Sequence, residues 1–195
     1  MTIVLLYLLQ CFKGVTTMIK KDGHTHTQFS HHGSHEPLDD YIERAISLGF
    51  TEYVVTEHAP LPTMFLEHFT GPSEARHGSA MLITELAAYQ KEVKRVQLKY
   101  ADQIAIKSGF ELDYLENYET ELRQFIITQA DWLDELVISV HFLPNHDKLV
   151  APIDFDPETL AKYFPEIHSL PQTVFKNYFN TVQKLSLIHI SEPTR

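Results

Sequence analysis

Four short segments with β-strand character end on a histidine or a glutamate, and helical segments separate them. They lead to His26, His58, Glu111 and His141. Strand-then-helix units joined by short loops predict parallel strands connected by crossover helices. Because the carboxyl ends of parallel strands meet at one edge, these four side chains are expected to lie close together. The pattern therefore predicts an α/β fold with a polar site at the strand ends.

The sequence pattern also sets approximate bounds for the elements. A first strand leads into His24 and His26, and three more are predicted at 53–56, 104–111 and 136–141. Apolar residues at helical spacing predict helices at 37–49, 79–100, 116–131, 157–163 and 171–184, with a long loop before the second helix. Side chains from four successive strands converge more easily inside a barrel than along an open doubly wound sheet. The barrel is therefore favoured, and the open sheet is the alternative.

The pair His24 and His26 is the clearest sign of chemistry. Residues at i and i+2 of an extended chain point to the same side, so both imidazoles can bind one metal ion. Neutral imidazole is a common protein ligand for zinc, iron and manganese. Taken singly, His58, Glu111 and His141 have ordinary structural explanations. Their joint occurrence at equivalent strand ends favours a metal site.

Composition bounds the class of protein. A chain of 195 residues, 44% of them hydrophobic, is enough for one domain with a sizeable core, placed here at 18–184. A net charge of −10 argues against nucleic acid as the main partner. The single cysteine, Cys11, fits a reducing cytoplasm, and the apolar run at the start is too short for a membrane span.

Both ends of the chain differ from the rest. Residues 1–17 precede Met18 and are interpreted as an upstream extension, with a weak secretory leader as the alternative. Residues 185–195 resemble a translated sequencing adapter and are expected not to pack on the fold; an ordinary polar tail is the alternative. On this interpretation the fold is incomplete, with about four strand–helix units present.

Several motifs resemble the polymerase-and-histidinol-phosphatase (PHP) superfamily, and within it the histidinol-phosphate phosphatase branch. They occupy residues 22–27, 29–34, 50–62, 108–114 and 138–143. The resemblance implies a distorted (β/α)7 barrel that holds two or three divalent metal ions, of zinc, iron or manganese. It assigns His24 and His26 to one ion, with Glu111 shared between that ion and a second.

The resemblance also implies ligands for the other ions. His141 would bind the second ion, while His32 and His58 would hold a third. His32 is chosen over His31 because the family pattern places its ligand directly before a glycine, here Gly33. Glu111 and His141 are the residues expected to act in catalysis. Later ligands of the family, a histidine and an Asp-x-His pair, have no match after His141.

The function implied is a metal-dependent phosphomonoesterase that releases phosphate from L-histidinol phosphate in histidine biosynthesis. Metal-activated water would attack phosphorus, so no cysteine or serine nucleophile is needed. The expected partner is a small phosphorylated substrate, without nucleic acid or membrane. One alternative is a PHP phosphoesterase acting on nucleotides or nucleic-acid ends. The other is a non-catalytic metal-binding fragment.

Overall fold

The structure is a computed structural model that describes residues 19–33 and 35–190, except for the side chains of 187–190. The predicted extension at 1–17 lies outside the described residues, as do residues 191–195 of the predicted adapter segment. Among the described helices, none is long and apolar enough to cross a membrane.

Four parallel strands form the main sheet and confirm the predicted α/β class. They are β1 (Lys21–Thr25), β2 (Glu52–His58), β3 (Ala105–Asp113) and β4 (Glu135–Ser139), hydrogen-bonded in that order. The sheet curls into half of a barrel, as expected of a partial PHP-type fold. In the β2–β3 register His58 lies opposite Glu111, so two predicted site residues are neighbours across the ladder.

Seven helices and a short hairpin complete the described part of the chain. The helices are α1 (Leu38–Ser47), α2 (Thr63–His68), α3 (Ser73–Gly78), α4 (Leu86–Lys99), α5 (Glu119–Gln129), α6 (Pro157–Tyr163) and α7 (Pro171–Ile190). A 3₁₀ turn at Pro165–His168 separates the last two. The hairpin pairs β5 (Phe142–Pro144) with β6 (Val150–Pro152) in antiparallel orientation. Strands of three residues carry too little periodicity to be predicted from sequence.

Three predicted boundaries were wrong. The predicted loop before the second main helix contains α2 and α3, and α4 begins at Leu86 instead of residue 79. Residues 79–85 are held in a turn, because the Glu85 carboxylate accepts from the Leu82 amide at 2.7 Å. The fourth strand ends at Ser139, so His141 lies beyond it in a connection to the hairpin.

Two apolar clusters hold these elements together. The larger packs the helices against the sheet; α1, for example, buries Leu38, Ile42 and Ala45 at helical spacing. The smaller cluster joins the hairpin to the C-terminal helices. Leu185 packs against the smaller cluster, which contradicts the expectation that residues from 185 onward do not pack. The adapter origin of that segment stays a prediction.

Gly109 allows close approach between neighbouring strands at the centre of the sheet. A Cβ built there would lie 2.8 Å from the Glu135 carbonyl oxygen and 3.0 Å from the Thr56 methyl carbon. Both distances are shorter than ordinary van der Waals contact. The position therefore requires glycine, and it lies directly before Phe110 and Glu111 on β3.

Candidate metal centre

A cavity of about 400 Å³ opens at the carboxyl ends of the parallel strands. All six predicted ligands line it, so the structure brings the whole predicted set to one place. The lining also includes Asp113 and Asp154, which the sequence reasoning did not propose as ligands. The predicted residues on the cavity wall are His24, His26, His32, His58, Glu111 and His141.

Glu111 is at the centre of this cluster. Its carboxylate is buried, and Oε2 lies 2.9 Å from His24 Nε2 and 3.3 Å from His26 Nε2. His58 Nε2 approaches the same oxygen at 3.5 Å, and His141 Nε2 approaches Oε1 at 3.5 Å. One buried carboxylate therefore faces four imidazole nitrogens. This is the arrangement expected of an anionic ligand shared between neighbouring cations.

Two further carboxylates contact the opposite nitrogens of two of these rings. Glu57 Oε1 lies 3.2 Å from His26 Nδ1, and Asp113 Oδ1 lies 2.7 Å from His141 Nδ1. In both histidines Nε2 is left facing Glu111. A carboxylate on one ring nitrogen fixes the tautomer and directs the other nitrogen to a metal.

Charge and burial divide the histidines into two kinds. Burial opposes the charged form of His26, but hydrogen bonds to Glu111 and Glu57 outweigh it and raise its pKa to about 9. For His141, burial is likewise outweighed, chiefly by Asp113, and the pKa rises to about 9. Burial lowers the pKa of His58 to about 4, with help from the neighbouring imidazoles. His58 is therefore neutral near pH 7, as a metal ligand must be.

The same interactions act on the carboxylates. Burial favours the neutral form of Glu111, but hydrogen bonds from His24 and His26 hold its pKa well below the usual range. Asp113 behaves differently, since burial raises the pKa of its carboxyl despite the contact with His141. Glu111 therefore stays ionised and is the strongest anionic ligand candidate.

The donor set fits divalent ions. Two groups of side chains each place one ligand atom per residue within 4.8 Å of one another: His24 with His26 and Glu111, and His58 with Asp113 and His141. Mixed imidazole and carboxylate donors suit zinc, iron and manganese. In addition, the buried Nδ1 of His58 has no hydrogen-bond partner among the described residues. A buried nitrogen without a hydrogen-bond partner calls for an explanation, and a role in binding a cation would supply one.

The grouping differs in part from the predicted one. The first group is the predicted set for one ion, but His58 lies with His141 and Asp113 in the second. The His58 ring is also close to His32, with ring centres 5.1 Å apart, so the predicted His32–His58 pair is adjacent as well. His32 lines the cavity, whereas His31 faces Glu85 at 3.1 Å.

Sequence reasoning missed Glu57 and Asp113. Asp113 follows Glu111 at i+2 on β3, so alternation of side chains along a strand could have identified it. Glu57 carried no such signal, because its partner His26 is 31 positions away in the chain. Coordination by any of these residues stays a prediction, which the arrangement supports.

Comparison with known proteins identifies the family to which this chain belongs. The chain belongs to the PHP domain family, which matches it over residues 22–194. The curled parallel sheet and the histidine-rich cavity at its strand ends agree with that assignment.

Individual relatives agree with the family. Over 165 residues the chain is 34% identical to the histidinol-phosphatase of Bacillus subtilis, covering 85% of this chain and 59% of that protein. A Listeria monocytogenes protein described as a candidate histidinol phosphatase superposes with a TM-score of 0.70 at 36% identity. The match covers 74% of this chain and 54% of the Listeria chain.

A second solved structure, histidinol phosphate phosphatase from Lactococcus lactis, was determined with zinc, L-histidinol and phosphate. It superposes with a TM-score of 0.50 at 28% identity, covering 63% of this chain and 40% of that one. The chain spans about half the length of the curated relatives it matches.

Proposed function

We propose that this chain carries part of the active site of a metal-dependent phosphomonoesterase whose substrate is L-histidinol phosphate. The observation that carries the proposal is the ring of imidazoles around the buried carboxylate of Glu111. The similarity to named histidinol phosphatases supports the same conclusion.

The charges of the cavity explain why cations are needed there. Its described lining contains the carboxylates of Glu111, Asp113 and Asp154 but neither lysine nor arginine. A phosphate group entering such a cavity would be repelled unless bound ions reversed the local charge. Divalent ions held there would supply a hydroxide near neutral pH and would neutralise charge on the phosphoryl oxygens.

The side chains of this chain would position those ions. His24 and His26 would hold one ion, and Glu111 would be shared between that ion and a second. His141 would hold the second ion, with Asp113 fixing its ring. The third ion would be held by His32 and His58, whose rings are adjacent. Burial of Glu111 excludes water from the carboxylate and strengthens its interaction with cations.

Asp154 and Phe155 suggest how the organic part of the substrate is recognised. Both line the cavity and are exposed to solvent. The loop that carries them is held at both ends. The Ile153 amide donates to the His141 carbonyl at 2.9 Å, and Asp156 caps α6 by accepting from the Thr159 amide at 2.7 Å.

Asp154 and Phe155 together suit a ligand that carries a positive charge close to an aromatic ring. Asp154 Oδ2 is 3.8 Å from His141 Nε2, so its carboxylate lies next to the proposed metal site. In histidinol phosphate the ammonium group is on the carbon next to the one that bears the ester oxygen. It would therefore lie near a carboxylate placed this close to the phosphate, while the imidazole would reach the exposed Phe155 ring. A nucleotide offers no such ammonium group, which weighs against the nucleotide alternative.

The test is release of inorganic phosphate by the purified protein. After treatment with a chelator, activity is measured with added zinc or manganese on L-histidinol phosphate, a nucleoside monophosphate and p-nitrophenyl phosphate. We expect metal-restored turnover with the highest kcat/KM for histidinol phosphate. A preference for the nucleotide would favour the alternative phosphoesterase. Bound metal without turnover of any ester would favour the non-catalytic fragment.

A further inference from the structure

Glu57 is a completely buried carboxylate that the proposed metal set does not use. It lies one residue before His58 on β2, and its side chain is 0% exposed. Its backbone amide donates to the Tyr89 hydroxyl at 3.3 Å, and that hydroxyl donates to the Gly109 carbonyl at 2.8 Å. Residues of three elements therefore fix the position of Glu57.

Both oxygens of the Glu57 carboxylate have two partners. Oε2 accepts from the Thr27 amide at 2.8 Å and from the Thr27 hydroxyl at 2.7 Å. Oε1 accepts from the His58 amide at 3.0 Å and lies 3.2 Å from His26 Nδ1. Backbone amides can only donate, so a carboxylate without a proton satisfies this set best. The pKa of Glu57 is accordingly lowered: burial opposes ionisation, but the bonds from His26 and Thr27 outweigh it.

The contact with His26 has a specific consequence. An acceptor at Nδ1 requires the hydrogen of a neutral His26 to be on Nδ1, and the lone pair is then on Nε2. That nitrogen lies 3.3 Å from Glu111 Oε2, inside the candidate metal group. Exchange of the tautomer would turn an N–H bond towards the cation and abolish ligation.

We infer that Glu57 is a positioning residue that holds His26 in the tautomer and orientation required for metal binding, and that it is not itself a ligand. Thr27 and the His58 amide in turn hold Glu57, so the Thr56-Glu57-His58 segment contributes a ligand and the support for a second one. The inference rests on the proposed metal site and does not depend on the identity of the substrate.

Metal affinity of Glu57→Gln, measured by cobalt titration against a competing chelator, is the first test. Loss of a carboxylate partner of a ligating histidine typically weakens metal binding by about 10- to 100-fold, and we expect a change of that size. The visible spectrum of the bound cobalt should change as well. Glu52→Gln is the matched control, since Glu52 is on the same strand but pairs with Lys21 at 2.9 Å, away from the cavity. The control should bind cobalt as the wild type does.

In Glu57→Gln a glutamine amide would face the two donors of Thr27, which opposes folding of the variant. A second measurement therefore uses the wild type. Nitrogen-15 NMR of the histidine side chains reports which ring nitrogen carries the hydrogen. With zinc bound, His26 should show a protonated Nδ1 and a metal-bound Nε2. A metal-bound Nδ1, a His26 that binds no metal, or unchanged cobalt affinity in a folded Glu57→Gln would each overturn the inference. Metal binding with these properties but without turnover would overturn only the proposed function.

Discussion

Replacement of Glu111 by glutamine is the strongest perturbation that the site offers. The carboxylate faces His24 and His26 through one oxygen and His141 through the other, at 2.9, 3.3 and 3.5 Å. Glutamine keeps the size of the side chain but removes the negative charge that both proposed ions share. It would also place an amide N–H₂ against nitrogens that must accept or bind a metal.

The size of the effect follows from the position of Glu111. An outer carboxylate that only orients a ligand is worth about 10- to 100-fold in metal affinity. A ligand shared by two ions should be worth at least the upper end of that range. We therefore expect at least about 100-fold weaker binding, equivalent to about 2.8 kcal/mol at 1.4 kcal/mol per factor of ten. Activity on histidinol phosphate should fall with it.

The assay is competition with a chelator of known affinity, followed by elemental analysis of the recovered protein. Glu135→Gln is the control, because Glu135 is a half-exposed carboxylate at the start of β4 that pairs with Lys21. The control should retain its metal. If Glu111→Gln bound zinc as tightly as the control, Glu111 would not be a ligand and the proposed arrangement of ions would be wrong.

Three further results are expected. Asp154→Asn should raise KM for histidinol phosphate by about tenfold, which is the value of one modest charged hydrogen bond. It should leave KM for p-nitrophenyl phosphate unchanged. Equal effects on both esters would exclude recognition of the ammonium group by Asp154. Metal affinity should increase between pH 7 and 9, because the pKa of His26 and of His141 is raised to about 9 and a binding ion must displace their protons. Calorimetry in buffers of different ionisation enthalpy should detect this release of protons. A metal affinity that does not change with pH would contradict the prediction. Gly109→Ala should lower the free energy of unfolding by about 1–3 kcal/mol through overpacking, and an unchanged melting temperature would show that β4 moves away without cost.

The parallel sheet could be predicted because the residues that specify each strand and its end lie next to one another in the sequence. The β2 segment combines β-branched and aromatic residues, and two prolines follow it closely, so strand and end are both visible in the sequence. The predicted ligands come together because they lie near or beyond the carboxyl ends of strands that all run in one direction. For these features composition, spacing and chain direction are sufficient.

The features that could not be predicted depend on distant contacts. The start of α4 is an exception, because it is set by a local turn in which the Glu85 carboxylate accepts from the Leu82 amide three residues away. The pairing of Glu57 with His26 joins two strands, and the turn that places His141 beyond β4 depends on the hairpin. Helical and strand periodicities describe neighbours along the chain, so they carry no information about such contacts.

The metal content of the purified protein tests the central claim most directly. The account predicts two or more tightly bound divalent ions per chain, retained through gel filtration and greatly reduced in Glu111→Gln. Elemental analysis after growth in medium containing zinc, iron and manganese would measure this content. A folded protein that held no stoichiometric divalent metal would contradict the claim that this cluster of histidines and carboxylates is a metal centre.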